Sequence, residues 1–304
     1  MILPATDSTQ WLLPEAVHRL SGLDLVARCV VEGFITGLHK SPFHGFSVEF
    51  SEYRPYHPGA PLKQVDWRVW GRTERHFIKT FEEETNLRAL LVMDGSGSMG
   101  FGSGPVSKQR YAVYLAAALA YLLLRQRDAT GLAVFDQALR TLIPPRSLLG
   151  HLSTLLAPLD KLESHGPTAT ASVLNTLAER LHRRSLVCLF SDLMDDPEAV
   201  IAALKNFRIR GHEVIVFHVL DPRERLLDFG QDALLVDMET GNTLPVDTRQ
   251  VAGSYAQRVR DWTRLLRRAC LDLRIDYVDM DTATPFDKAL TAFLAKRRQL
   301  GASR

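Results

Sequence analysis

Residues 88–98 read RALLVMDGSGS, an apolar run after Arg88 that changes abruptly into a short polar stretch. An apolar run without alternation is typical of a strand that is buried on both faces, as in a parallel sheet. The glycines after the run permit a tight backbone turn. The stretch therefore predicts a central strand of a parallel sheet, with Asp94, Ser96 and Ser98 at its carboxyl end.

Strand and helix patterns alternate along the chain after this run. We predict further strands over 130–135, 139–143, 185–190, 213–219 and 275–278, and helices over 108–127, 147–162, 168–184, 197–210, 255–270 and 285–297. Alternation of elements of this length indicates a parallel sheet with helices on both faces. Segment 139–143 is expected to pair as a hairpin at one edge. The predicted fold class is therefore α/β with a mostly parallel sheet.

The sequence before residue 86 has a different pattern. We predict a helix over 14–36, strands over 46–50 and 76–82, a loop over 53–62 and a short helix over 65–75. The chain is accordingly divided into an N-terminal helix and β-hairpin module (1–85) and an α/β domain (86–304). A further turn signal, Thr240-Gly241-Asn242, predicts a β-hairpin insertion at about 232–247 of the α/β domain.

Composition limits the classes of protein to which the chain can belong. It has 304 residues, of which 46% are hydrophobic and 24% charged, the balance of an ordinary globular protein. A formal net charge of +2 argues against binding to nucleic acid through overall charge. The N-terminal residues lack the pattern of a signal peptide, and the longest uncharged stretch, 111–124, is shorter than a membrane span. We therefore expect neither a signal peptide nor a membrane-spanning helix.

Three cysteines, Cys29, Cys188 and Cys270, lie far apart in the sequence. An odd, scattered set without a CxxC pair argues against a disulfide scaffold and against a zinc ribbon. We therefore expect a reducing compartment, the cytoplasm.

Polar residues follow two of the predicted buried strands, at the end of the sheet where ligands bind in open α/β folds. The candidate ligands carry carboxylate or hydroxyl oxygens and are Asp94, Ser96, Ser98, Thr168 and Asp192. All are hard donors, which favour Mg²⁺ or Mn²⁺ over Zn²⁺. Asp94 and Thr168 also fit a purely structural role, because Asp and Thr are common helix N-caps.

Two other chemistries compete for the same residues. Residues 95–100 match the dinucleotide-binding pattern GxGxxG, but Asp94 would place a carboxylate beside the phosphates, and no acidic residue follows at the usual distance of about 20 positions. A serine hydrolase would require GxSxG, which the residues around Ser98 do not form. The sequence also contains no GxxxxGK[ST], the pattern that a P-loop ATPase requires.

A metal-dependent hydrolase would need a base or further acids near the cation. The sequence offers candidate bases in His165, His212 and His218 but does not place them. The candidate extra acids are Asp136, Asp195 and Asp196. An edge turn and a helix start account for these acids better than catalysis does.

Basic and aromatic residues are interleaved over 63–79, within the N-terminal module. Arg68, Arg72 and Arg75 are candidate partner-binding residues, with Trp67 and Trp70 among them. Such a mixture also occurs at nucleic-acid interfaces. We favour a solvated face whose aromatic residues pack onto the α/β domain. Nucleic-acid binding and docking to an acidic partner stay open as alternatives.

Several passages together resemble a known family. The stretch from Asp94 to Ser98, with Thr168 and Asp192, resembles the metal-ion-dependent adhesion site of von Willebrand factor type A domains. The wider chain is similar to the bacterial domain-of-unknown-function 58 family in these passages: Gly45-Phe46, Glu49-Phe50, Arg54-Pro55-Tyr56, Pro58-Gly59, Val65-Asp66-Trp67, 82–86, 94–102, Phe190-Ser191-Asp192-Leu193 and 281–294.

The resemblance implies a Rossmann-like, doubly wound sheet and a site that binds a metal without catalysis. In such a site Ser96, Ser98 and Thr168 would contact Mg²⁺ or Mn²⁺. Asp94 and Asp192 would act directly or through water. Because Mg²⁺ prefers six ligands, we expect an Asp or Glu of a partner to complete the shell.

The resemblance also implies a partner, a MoxR-type AAA+ ATPase, which the protein would serve as an adaptor or chaperone-like factor. An enzyme that uses the same strand-end site, a metal-dependent hydrolase or a nucleotide-binding enzyme, is the alternative. Two positions depart from the family pattern. Ala60 stands where Asp is usual, and Ala169 follows the threonine where Asp is frequent.

Overall fold

The structure is a computed structural model that describes residues 13–40, 54–55, 77–78, 87–227, 229 and 232–302. The chain forms two compact units, residues 1–37 with 86–304 and residues 38–85. In the smaller unit, strands β1 (Arg54–Pro55) and β2 (Phe77–Ile78) pair in antiparallel orientation. The division of the chain at residues 85 and 86 stays a prediction.

The smaller unit corrects one sequence-based interpretation. β2 lies inside the predicted strand over 76–82, but β1 lies in the segment that we interpreted as a loop. Pro55 is tolerated there because a two-residue strand makes few ladder hydrogen bonds. The predicted strand over 46–50 and helix over 65–75 lie outside the described residues, as do Arg68, Arg72 and Arg75.

The larger unit alternates strands with helices. Its described helices are α1 (Pro14–His18), α2 (Leu23–Lys40), α3 (Lys108–Arg125), α4 (His151–Asp160), α5 (Thr170–Arg180), α6 (Pro197–Ile209), α7 (Pro222–Leu226), α8 (Thr248–Asp272) and α9 (Phe286–Ala302). Its described strands are β3 (Arg88–Asp94), β4 (Ala129–Phe135), β5 (Leu139–Arg146), β6 (Leu186–Ser191), β7 (Glu213–Leu220), β8 (Asp232–Val236), β9 (Thr243–Asp247) and β10 (Asp276–Asp281).

Six of these strands form the central sheet in the order β10–β7–β6–β3–β4–β5. Neighbouring strands are parallel except at one edge, where β5 pairs with β4 in antiparallel orientation. Helices pack against both faces of the sheet. The fold is therefore a Rossmann-like, doubly wound α/β fold, and the predicted fold class is confirmed.

Side chains of β3 enter two different apolar layers. Leu90 and Val92 pack in one core cluster with residues of α5, α6 and α8, including Leu174, Phe207 and Leu266. Helix α3 contacts the four central strands from the other face and is buried on almost every side. Burial on both faces explains why β3, β6 and β7 appear in the sequence as unbroken apolar runs. Within the described residues, no helix has both the length and the apolarity to cross a membrane.

The order of strands reverses between β3 and β6. From β3 the chain continues to β4 and β5 on one side of the sheet, and it then crosses to β6, β7 and β10 on the other side. In open α/β sheets the ligand crevice lies at such a switch point, at the carboxyl ends of the strands. Here β3 ends at Asp94 and β6 ends at Ser191, immediately before Asp192.

Three elements differ from the sequence-based prediction. The helix predicted over 14–36 is broken between α1 and α2, where Gly22 has a φ of +89°. The pattern over 97–100 forms a short 3₁₀ helix, and α7 was not predicted at all. Helix α7 is stabilised by a capping box between Asp221 and Glu224, a local signal that is independent of hydrophobic periodicity.

Gly131 in β4 lies at a shift in the register with β5. A Cβ at this position would lie 2.5 Å from the carbonyl oxygen of Ile143 and 2.8 Å from the nitrogen of Pro145. We expect Gly131→Ala to lower the free energy of unfolding by about 1–3 kcal/mol in urea titrations, because backbone atoms must move. The matched control is Gly150→Ala, where nothing lies within 4 Å of the added carbon. Equal effects of the two substitutions would contradict this assignment of crowding.

Candidate functional site

Asp94 connects the two strands at the switch point. Its side chain is fully buried at the end of β3. The Oδ1 atom accepts the backbone N–H of Ser96 at 2.9 Å, and Oδ2 accepts the hydroxyl of Ser191, from the end of β6, at 2.5 Å. The carboxylate therefore fixes both the turn after β3 and the spacing of the two central strand ends.

The charge of Asp94 has no compensating cation among the described side chains: none of the ion pairs that they form includes it. Burial, and then the negative charge of Asp192, raise the pKa of Asp94 to about 7, while hydrogen bonds from Ser191 and Ser96 oppose the rise. A buried carboxylate in this situation gains stability from a nearby positive ion.

The two serines after Asp94 lie side by side. Their hydroxyl oxygens, Ser96 Oγ and Ser98 Oγ, are 3.1 Å apart, and Ser96 is fully buried. Between them, Gly97 donates its backbone N–H to the carbonyl oxygen of Gly166 at 2.8 Å. This bond brings the loop that carries Thr168 against the turn that carries the serines.

Thr168 lies at the end of that loop, just before α5. Its hydroxyl is 2.9 Å from the hydroxyl of Thr170, and its backbone N–H donates to Glu239 Oε2 at 3.0 Å. Glu239 belongs to the turn between β8 and β9 and lies 71 residues further along the chain. The structure therefore brings together Asp94, Ser96 and the Thr168 loop, and it adds a carboxylate that the sequence analysis did not select.

Asp192, the fifth predicted ligand, faces a buried lysine. Its Oδ2 atom lies 2.7 Å from Lys108 Nζ, and its Oδ1 atom accepts the backbone N–H of Met194 at 3.2 Å. The same ammonium lies 2.5 Å from Glu224 Oε1. Burial alone would lower the pKa of Lys108, but Asp192 and Glu224 raise it above its ordinary value, so the lysine stays charged. Asp192 is thus already paired within the chain.

Two of the three candidate histidines, His212 and His218, have structural contacts. His165 is exposed, and His212 accepts a backbone N–H through Nδ1. His218 is fully buried, with Nε2 2.9 Å from the carbonyl oxygen of Asp192 and Nδ1 hydrogen-bonded to the Tyr277 hydroxyl. Because a carbonyl only accepts, Nε2 carries the proton, and burial lowers the pKa of His218 to about 4. His218 therefore orients the backbone at Asp192 as a neutral ring.

The candidate extra acids also have local roles. Asp136 accepts a backbone N–H in the turn after β4 and pairs with Arg140. Asp195 accepts a backbone N–H in the first turn of α5, and Asp196 caps α6. Within the part of the chain that the structure describes, no group of three or more His, Cys, Asp or Glu side chains is arranged to hold a metal. Any cation site here must therefore use the hydroxyl oxygens.

The sequence analysis missed three charged side chains at this site. Lys108 carried a detectable signal, because it lies with Arg110 at the start of a long apolar helix, and a cation there is unusual. Glu224 carried a weaker signal in the spacing from Asp221 that forms a capping box. Glu239 carried none, because it follows an exposed hairpin strand and not a buried strand.

Comparisons with known proteins place the chain among related sequences. The profile described as "Protein of unknown function DUF58" matches residues 52–264. Uncharacterized proteins of Mycobacterium bovis and Mycobacterium tuberculosis are 29% identical over 235 residues, covering 75% of this chain and 72% of theirs.

Solved structures are similar at lower identity. One is a conserved hypothetical protein, BatB, from Bacteroides thetaiotaomicron, with a TM-score of 0.48 and 17% identity over 70% of this chain and 99% of that chain. Another is an aerotolerance-related membrane protein from Bacteroides fragilis, with a TM-score of 0.43 and 16% identity over 69% of this chain and 99% of that chain. The fold assignment above depends on the strand order and not on these similarities.

Lys108 is the positive charge on which the Asp192 side of the site depends. Lys108→Met leaves the buried Asp192 and the partly buried Glu224 without their shared cation, so we expect the free energy of unfolding to fall by about 3–5 kcal/mol in urea titrations. The matched control is Arg264→Met, which removes an exposed ion pair with Asp261 on α8 and is expected to cost less than about 1 kcal/mol.

A double variant tests the cause of this loss. Lys108→Met/Asp192→Asn removes the lysine and one of the two acids that it leaves uncompensated, so it is expected to recover part of the stability. A double variant whose loss equals the sum of the two single losses would contradict a direct charge pair.

Proposed function

The chain belongs to the DUF58 family of proteins of unknown function, and from this membership and the geometry of the site we propose that it is a non-catalytic protein–protein interaction module that acts through Mg²⁺ or Mn²⁺. One observation carries the proposal. Asp94, buried and without a described cationic partner, lies at the switch point beside Ser96, Ser98 and the Thr168 loop.

The residues at the site fit a hard divalent cation. The hydroxyls of Ser96, Ser98 and Thr168 would hold the ion, and the Asp94 carboxylate would supply negative charge next to it. Asp192 would act from further away, since both of its oxygens are engaged within the chain. Oxygen donors of this kind suit Mg²⁺ or Mn²⁺. The bound cation supplies attraction for a carboxylate of a partner protein.

A binding role agrees with the positions of the possible catalytic groups. A hydrolase needs a base within hydrogen-bond reach of its substrate or water. His218 uses both ring nitrogens inside the protein, and Asp136, Asp195 and Asp196 stabilise turns and helix starts. These contacts support the choice of a binding module over an enzyme.

We further propose a MoxR-type AAA+ ATPase as the partner, with the chain as its adaptor or chaperone-like factor. The support is the family resemblance, together with a site that favours an acidic side chain from outside. We assign the interaction to the cytoplasm, because Cys29, Cys188 and Cys270 are all buried and unpaired.

Thermal unfolding tests the cation site. A ligand that binds only the folded state, and whose free concentration is 100 times its dissociation constant, adds about 2.7 kcal/mol of stability. Mg²⁺ or Mn²⁺ should therefore raise the Tm by several degrees. Asp94→Asn and the double variant Ser96→Ala/Ser98→Ala should abolish this rise. Asp136→Asn, at the end of the neighbouring strand, should keep it. A rise that persists in Asp94→Asn would reject the assigned site.

Capture of the ATPase tests the partner. The purified protein, immobilised on a resin in buffer that contains Mg²⁺, should retain a MoxR-type ATPase from the same organism. A chelator should release the ATPase. Ser96→Ala/Ser98→Ala should retain at least about tenfold less, while Asp136→Asn should behave as the unaltered chain, the tenfold loss corresponding to about 1.4 kcal/mol. Retention that chelator leaves unchanged would show that the cation does not join the two proteins.

A further inference from the structure

The hairpin formed by β8 and β9 carries an acidic, ordered tip. The Asp237 side chain accepts the backbone N–H groups of Glu239 and Thr240 at 2.8 and 3.3 Å, and it also accepts the Thr240 hydroxyl. The turn is closed by Gly241, which donates its N–H to the carbonyl of Asp237 and has a φ of +75°. These bonds fix the backbone from which the Glu239 side chain projects.

This tip lies directly on the turn that follows β3. A Cβ at Gly97 would lie 2.5 Å from the carbonyl oxygen of Met238, so the two backbones approach as closely as glycine permits. A Cβ at Gly100 would lie 3.6 Å from Met238 Cε. The hairpin therefore covers the same turn that presents Ser96 and Ser98.

Glu239 reaches into the site, and its two carboxylate oxygens differ in their contacts. Oε2 accepts the Thr168 N–H at 3.0 Å, but Oε1 is buried and has no hydrogen-bond partner among the described residues. Buried oxygens without a partner are rare in folded proteins, and an ion at the site is one explanation for them. The buried Oε1 atom therefore points to a ligand beside Glu239.

The charges around Glu239 are negative. Asp192 and Asp237 add negative charge around Glu239, and the Ser98 side chain hydrogen-bonds to its carboxylate. The buried ammonium of Lys108 is already paired with Asp192 and Glu224. A carboxylate in such surroundings is stabilised by a divalent cation, for which Oε1 is a suitable hard donor.

We propose that Glu239 is a ligand of the cation held by Ser96, Ser98 and Thr168, and that the chain's own hairpin thereby occupies the position that a partner's carboxylate would take. The inference rests on the proposed function, since it requires the cation. It adds Glu239 as a sixth residue of the site. It also makes partner binding depend on the position of the hairpin. A partner's Asp or Glu gains the cation only when the hairpin tip withdraws.

The hairpin is suited to withdrawal because much of it makes few contacts. Leu234, Val236 and Leu244 are 62%, 53% and 61% exposed, although all three are apolar. Segments with little buried apolar surface open at low free energy. Both strands also contact helix α8, and the tip adds the contacts with Gly97 and Thr168 that hold the hairpin against the site.

Hydrogen exchange of the full-length chain tests the proposal directly. Mg²⁺ should slow amide exchange over 232–247 by at least about fivefold in the unaltered chain, because the cation ties Glu239 to the site. Glu239→Ala and the more conservative Glu239→Gln should remove this slowing. The control Asp232→Asn, which neutralises an exposed acid at the open end of the same hairpin, should retain it.

Calorimetric titration with Mn²⁺ gives an independent measurement. Glu239→Ala should weaken Mn²⁺ binding by about tenfold or more, as removal of groups around a metal does. Asp232→Asn should leave the affinity unchanged. The inference would be overturned if Glu239→Ala bound Mn²⁺ as tightly as the unaltered protein and if Mg²⁺ slowed amide exchange over 232–247 equally in the two proteins. That result would leave the cation site intact. Absence of any Mg²⁺ or Mn²⁺ effect in the unaltered chain would overturn the proposed function, and the inference with it.

Discussion

The hydrogen bond from the Ser191 hydroxyl to the Asp94 carboxylate, 2.5 Å long, determines how the two middle strands of the sheet end. It joins β3 and β6 at the one place where the strand order reverses. The same carboxylate accepts the Ser96 N–H, so the turn after β3 takes its direction from a bond that depends on both strands. The apolar layers on either face supply the free energy of folding, but this contact gives the crevice its shape.

The site contains two groups of acidic side chains, one whose negative charge is paired with a lysine and one without a described cationic partner. Asp192 and Glu224 share the buried ammonium of Lys108, and they resemble a structural ion pair. Asp94 and Glu239 lie on the other side, and no described cation pairs with either. Since buried charges persist only when paired or coordinated, the second group is the part of the molecule where an external ion has most to contribute. This asymmetry is the physical basis for assigning binding to the serine side of the crevice.

The fold was largely predictable because burial on both faces makes β3, β6 and β7 visible as apolar runs. The strand-end residues Asp94, Ser96 and Ser98 followed from the same pattern, although their role as ligands stays a prediction. The remaining parts depend on contacts between distant residues. Lys108 and Asp192 are 84 positions apart, and Thr168 and Glu239 are 71 positions apart. Pairings of this kind leave no periodicity in a single sequence, so only the folded arrangement identifies them.

Both edges of the sheet are unsuited to further strand pairing. At one edge, β5 contains Pro144 and Pro145 near its end, and these residues have no N–H to donate to a neighbouring strand. At the other edge, β10 carries Asp276, Asp279 and Asp281, and lines of charge discourage the approach of another chain. Proteins that recognise this molecule by adding a strand are thereby disfavoured at these positions. The same features oppose the growth of extended aggregates between copies of the chain through these edges.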